Sequence, residues 1–175
     1  MLESDENSSA GSSPNSSAIV FRLGDDASDR QFRAILSFNT AGLPDNAAIV
    51  SVTLQIRKAG LAGKDPFSML GNIVADIRKG SFNGSTSLQA EDFQARASRN
   101  AAITILDTPM SDWYAGSMDS ANFRHINLKG VTQFRLRFAK GDNDNLAANY
   151  LKFYSGNSSA TAGYRPTLLI TYTLP

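Results

Sequence analysis

The chain has 175 residues, 42% hydrophobic and 19% charged, and its 17 Lys and Arg against 16 Asp and Glu leave a net charge of +1. That length fits one domain with a substantial core, while near-neutral charge excludes the field that would draw the whole protein to nucleic acid or an anionic membrane. Zero Cys excludes disulfides, thiolate metal sites and a Cys nucleophile, and a single His excludes a His-rich metal cage.

In chain order, Met1-Leu2-Glu3 leads into no apolar core of a signal peptide. Residues 4–17 read SDENSSAGSSPNSS, too polar to bury surface against the entropy of ordering. The sequence therefore predicts a flexible Ser/Asn-rich linker or tail over 1–17 and a single domain over 18–175, cut from a longer parent chain.

From Ala18 the hydrophobic period becomes two. A short strand is predicted over Ile19–Leu23, then alternating strands over Phe32–Phe38, Val50–Arg57 and Ile73–Arg78. A short helix is predicted over Ser87–Ala97, with short strands at Ala102–Leu106 and Phe123–Leu128. Thr132–Phe138, Tyr150–Tyr154 and Leu168–Thr173 alternate again. Breakers such as Gly42-Leu43-Pro44-Asp45-Asn46 and Gly141-Asp142-Asn143-Asp144-Asn145 separate the runs. Many half-buried strands with one short helix predict an all-β antiparallel sandwich of jelly-roll type. No membrane insertion is expected, because no apolar run approaches the ~20 residues of a spanning helix.

Catalytic constellations are thin. A Ser-His-Asp triad would need His125, which has no Gly-x-Ser-x-Gly turn beside it, and Glu91 is the only Glu beyond the linker to serve a glycosidase pair. A non-enzymatic protein is the expectation, with a glycan hydrolase as the minority reading.

Four places suggest ligands. The turn holding Asp142, Asp144 and Asn145 clusters side-chain oxygens that suit structural calcium, although Asp and Asn also serve a hairpin turn through their tolerance of left-handed backbone. Asp25, Asp26 and Asp29 form a second acidic loop. If the strands on either side of the 142–145 turn pair, their outward faces meet. Gln133, Arg135 and Arg137 then lie beside Tyr150, Lys152 and Tyr154. Guanidinium forks grip carboxylates and aromatic rings stack on apolar sugar faces. The alternative is a solvated face covered by long cationic stems. Trp113 is the remaining aromatic candidate, either a sugar platform or a rim anchor. On this geometry Arg135→Ala or Tyr154→Ala weakens sugar binding with little change in melting temperature.

FRAILSFNTAGLPDNAAIVSVTLQIR (32–57) and YLKFYSGNSSATAGYRPTLLITY (150–172) resemble the opening and closing signatures of DNRLRE-type domains. The first has a strand ending in a Ser-Phe-Asn turn, a Leu-Pro loop and a Thr-bearing alternating strand. The second has a strand ending in Tyr-Ser, a loop, Arg-Pro and a last apolar strand. The resemblance implies a β-sandwich similar to carbohydrate-binding modules, extracellular or on the cell surface, appended to a secreted enzyme or surface protein. Some relatives bind acidic polysaccharides such as alginate. The expected function is a non-catalytic accessory module that binds polysaccharide. The alternative is a structural or adhesive module of a surface protein or filament that self-assembles through a sheet edge.

Overall fold

Strand alternation decides which side chains meet between the sheets. The computed structural model describes residues 1–159 and 161–175. In chain order the strands are β1 (Leu2–Glu3), β2 (Gly11–Ser12), β3 (Val20–Asp25), β4 (Gln31–Phe32), β5 (Ala34–Asn39), β6 (Ala48–Ala62), β7 (Ile73–Lys79), β8 (Arg99–Ile105), β9 (Trp113–Ser117), β10 (Val131–Phe138), β11 (Asn149–Tyr154) and β12 (Thr167–Thr173). One turn of helix, α1 (Phe67–Leu70), follows β6.

Two sheets result. The larger has eight strands in the order β12-β6-β11-β3-β4-β1-β2, with β9 also paired to β6, and the smaller runs β5-β10-β7-β8. All the strand pairings are antiparallel. The pairs β7·β8, β6·β9, β5·β10 and β3·β11 nest outward from the middle of the chain, and successive pairs belong to alternate sheets. That nesting makes the sandwich a jelly roll, as the sequence predicts.

The inner faces close on one another. Leu23, Val52, Leu54, Ile56, Tyr114, Leu151 and Phe153 come from the larger sheet, and Leu36, Ile73, Ala75, Ile77, Ile103, Phe134, Leu136 and Phe138 from the smaller, all buried. Gly116 of β9 lets the sheets approach here: a Cβ on it would sit 2.5 Å from the Thr104 carbonyl oxygen.

Five expectations change. First, β10 and β11 do not pair. β10 lies between β5 and β7, whereas β11 lies between β3 and β6. The 139–148 segment therefore crosses from one sheet to the other, as a jelly roll requires, instead of closing a hairpin. Second, the run from Phe32 to Phe38 breaks at Arg33, so β4 joins the larger sheet and β5 the smaller. Third, Ser87–Ala97 is not a helix but carries one 3₁₀ turn at Ala90–Phe93, fixed by reciprocal Gln89 and Asp92 contacts. Fourth, Phe123–Leu128 is no strand. A 3₁₀ turn spans Ser120–His125, begun by the Asp119 carboxylate accepting from the Ala121 N–H at 2.8 Å.

Fifth, the first dozen residues are docked. β1 pairs with both β2 and β4, and the buried Glu3 carboxylate accepts from the Gln31 N–H at 3.0 Å. Main-chain pairing at a sheet edge needs no apolar side chain, which explains how so polar a segment is held. Residues 13–17 are exposed and outside any strand.

Candidate functional site

The smaller sheet's outward face was expected to meet solvent, and it does not. Residues 80–98 fold across it and bury Phe82 and Phe93 completely. Arg135 is 5% exposed and Asp76 1%. The Arg135 Nε and Nη2 donate to Asp76 Oδ2 at 3.1 and 2.8 Å, and its Nη1 donates to the carbonyls of Asp92 and Ala95 at 3.1 and 2.7 Å. Its guanidinium carbon lies 4.8 Å from the Phe82 ring centre. Gln133 is buried too, its Oε1 accepting from the Phe82 N–H at 2.7 Å. Arg137 is half-buried and makes a second ion pair with Asp76, 3.5 Å away. Gln133 and Arg135 are thus structural groups holding a covering loop, Arg137 is drawn to the same buried Asp76, and all three leave the candidate ligand surface.

The other half of that surface persists on the larger sheet. Tyr150, Lys152 and Tyr154 of β11 lie in register with Gly24, Arg22 and Val20 of β3. Arg22 is exposed, and its guanidinium sits 5.1 Å from the Tyr150 ring centre and 5.5 Å from that of Phe32. The Lys152 Nζ lies 5.9 Å from the Tyr150 centre. Further along, Tyr154 packs on Tyr164 with ring centres 5.1 Å apart, and the Arg57 guanidinium covers Tyr164 at 3.5 Å. Trp113 is paired in register with Arg57 across β9 and β6 and is half-exposed. The result is a belt of rings and cations across one sheet face.

Among the described residues, the carboxylate ion pairs involve Arg30, Lys129, Arg135 and Arg137. Arg22, Arg57 and Lys152 make none. Cations held over rings, with no carboxylate partner, are available to an anionic ligand while the rings offer apolar faces. Arg22, Arg57 and Tyr164 were missed in the sequence. Arg22 and Arg57 do occupy polar positions of alternating strands, which is the one signal that could have found them.

The two acidic loops that the sequence keeps apart come together at one end of the sandwich. Asp29 Oδ1 accepts from the N–H groups of Asn145 and Leu146 at 3.2 and 3.1 Å. Asp25, at the end of β3, is wholly buried, and neither of its carboxylate oxygens has a hydrogen-bond partner. Burial pushes its carboxyl up to about 6, with added repulsion from Asp29 and Asp142; the Asn149 main-chain N–H lies near enough to ease the charge in part but outside hydrogen-bond geometry. Burial also raises Asp142, seconded by the Asp144 charge. Asn145 is committed within the turn, its Oδ1 accepting from the Ala147 N–H at 2.9 Å, and Asp144 is exposed. Of the expected trio, Asp142 and Asp144 lie close enough for one charge to raise the other, whereas Asn145 is turned into its own loop; among the described residues no three His, Cys, Asp or Glu side chains are grouped as ready metal ligands.

His125 ends a 3₁₀ turn with its ring beside the Arg124 guanidinium, and Glu91 is exposed on the turn that covers the smaller sheet. No helix among the described residues is long and apolar enough to cross a membrane. No protein-family model matches the chain, and no curated protein matches it either.

Proposed function

We propose that this domain is a non-catalytic module that binds acidic polysaccharide, extracellularly or at a cell surface, through the outward face of the larger sheet. The observation that carries the reading is the belt itself: Arg22, Lys152 and Arg57, none paired to a carboxylate, over Tyr150 and Tyr164, with Tyr154 and Trp113 beside them. Uronic acid chains present carboxylates for such cations and C–H faces for such rings. The resemblance to DNRLRE-type domains makes alginate the first ligand to try.

Affinity electrophoresis against alginate, pectin, xylan and cellulose tests this. Alginate should retard the folded protein, less so as salt rises. Tyr150→Ala or Lys152→Ala should each weaken binding roughly fivefold, about 1 kcal/mol, with the melting temperature close to that of the parent. Folded protein that runs freely in all four gels removes the proposal.

A structural or adhesive role is the second reading, favoured by one feature. β5 is an edge of the smaller sheet. A cleft of about 1160 Å³ lined by Ile19, Phe21, Leu36 and Phe38 opens beside it. An open edge next to an apolar cleft suits strand addition from a second molecule. Ordered oligomers in sedimentation velocity, lost on replacing the exposed cleft residue in Ile19→Lys, would support it; a monomer at every concentration would dismiss it.

A further inference from the structure

We propose that the end of the sandwich beneath the 140–148 segment is a calcium site, with Asp25 as its floor and Asp29, Asp142 and Asn143 supplying further oxygens.

The argument starts from Asp25. A carboxylate accepts through two oxygens, and a buried one is ordinarily bonded or paired. Here both oxygens are sealed from solvent and unpartnered. The residues opposite it across the sheet are Gln31 on β4 and Asn149 on β11. Neither satisfies it: the Gln31 amide donates to the Lys140 carbonyl and the Asn149 amide to the Ala147 carbonyl. Among the described residues, no Lys or Arg forms an ion pair with it.

A second buried oxygen in the same loop system is also orphaned. Asn143 Oδ1 has no partner, although its amide nitrogen donates to Met69 Sδ at 3.2 Å. Asp29, 2% exposed, bridges to the loop that carries Asn143. Asp29 and Asp142 are also the carboxylates close enough to repel Asp25. The donors are therefore all oxygen, from carboxylates and an amide, with backbone carbonyls of the 140–148 segment at hand. Hard cations take such donors, and calcium's six to eight ligands and flexible geometry tolerate this irregular set better than magnesium's octahedron. Because the carboxylates are not yet grouped at ligand distance, binding has to draw Asp142 and its loop down onto Asp25. Calcium then orders the segment as it neutralises the charge. This site stands independently of the sugar-binding reading.

The test uses the full chain stripped with chelator and melted with and without calcium, with magnesium as the control. At about a hundredfold excess over the dissociation constant, calcium should raise the melting temperature by roughly 5–10 °C. Magnesium should do much less. Asp25→Asn, which keeps the side-chain shape, should abolish the calcium response. If that variant does not fold, Asp142→Asn, at a half-exposed position, should reduce the response, whereas Asp144→Asn should leave it intact. Equal melting curves with calcium and with chelator, together with no heat on calcium titration, would overturn the proposal. So would an undiminished response in Asp25→Asn and Asp142→Asn.

Discussion

Arg135→Ala should destabilise the domain by about 3–5 kcal/mol, a drop in melting temperature on the order of 10 °C. A surface arginine would cost a small fraction of that. The difference lies in what the truncation abandons. Asp76 keeps its charge at 1% exposure, with its Oδ2 stripped of both guanidinium bonds. The carbonyls of Asp92 and Ala95 lose their donor, and Phe82 loses the cation packed on its ring. Arg137, 3.5 Å from Asp76, can recover only part of the pairing. Urea unfolding measures this directly. A double replacement, Asp76→Leu with Arg135→Met, should cost less than the sum of the single changes, because no buried charge is left unpaired. A loss below about 1 kcal/mol for Arg135→Ala would mean that residues 80–98 do not cover the smaller sheet.

Phe134→Ala, one residue earlier on the same strand, should cost about 3–5 kcal/mol for a different reason. Phe134 points between the sheets, fully buried, opposite Leu36 on β5 and Ile77 on β7, and its ring meets Phe38 edge-on at 6.1 Å between centres. Truncation leaves a cavity walled by two rigid strands, which cannot collapse far to fill it. Phe134→Leu should recover a large share of the loss, whereas Arg135→Lys should recover little. A lysine keeps charge but cannot fork onto Asp76 while bonding two carbonyls. Equilibrium denaturation of the four variants separates volume from hydrogen-bond geometry at adjacent positions.

The inward residues of β6, β7, β10 and β11 were legible because alternation is a local property: each strand's sequence states its own two faces. What the outward face meets is not local. Whether Arg135 reaches water depends on where residues 80–98 land, and that segment reads as Ser, Gly and Asn turns followed by a short helix over Ser87–Ala97, neither of which says what it packs against. Its signals were Phe82 and Phe93, two large apolar residues in an otherwise polar stretch. Ile35 and Val74 were signals too, lying beside Arg135 and Arg137 on a face presumed wet. The pairing of β10 with β5 and β7 was equally hidden, since a jelly roll joins strands far apart in sequence. The candidate site was accordingly half legible. Tyr150, Lys152, Tyr154 and Trp113 stayed on an open face, but their neighbours Arg22 and Arg57 come from β3 and β6, which no short-range pattern connects to them. The acidic loops were each visible; their meeting through Asp29 was not.

The chequered makeup of β10 also guards against misalignment. Sliding that strand by one position against β5 and β7 would force Arg135 among the aliphatic side chains and turn Phe134 and Leu136 toward a compartment built for a guanidinium. Both errors are penalised at once, the first by desolvating an unmatched cation and the second by orphaning Asp76. The salt-bridged layer thus adds a polar penalty for a shifted register to the one that the apolar pattern already imposes.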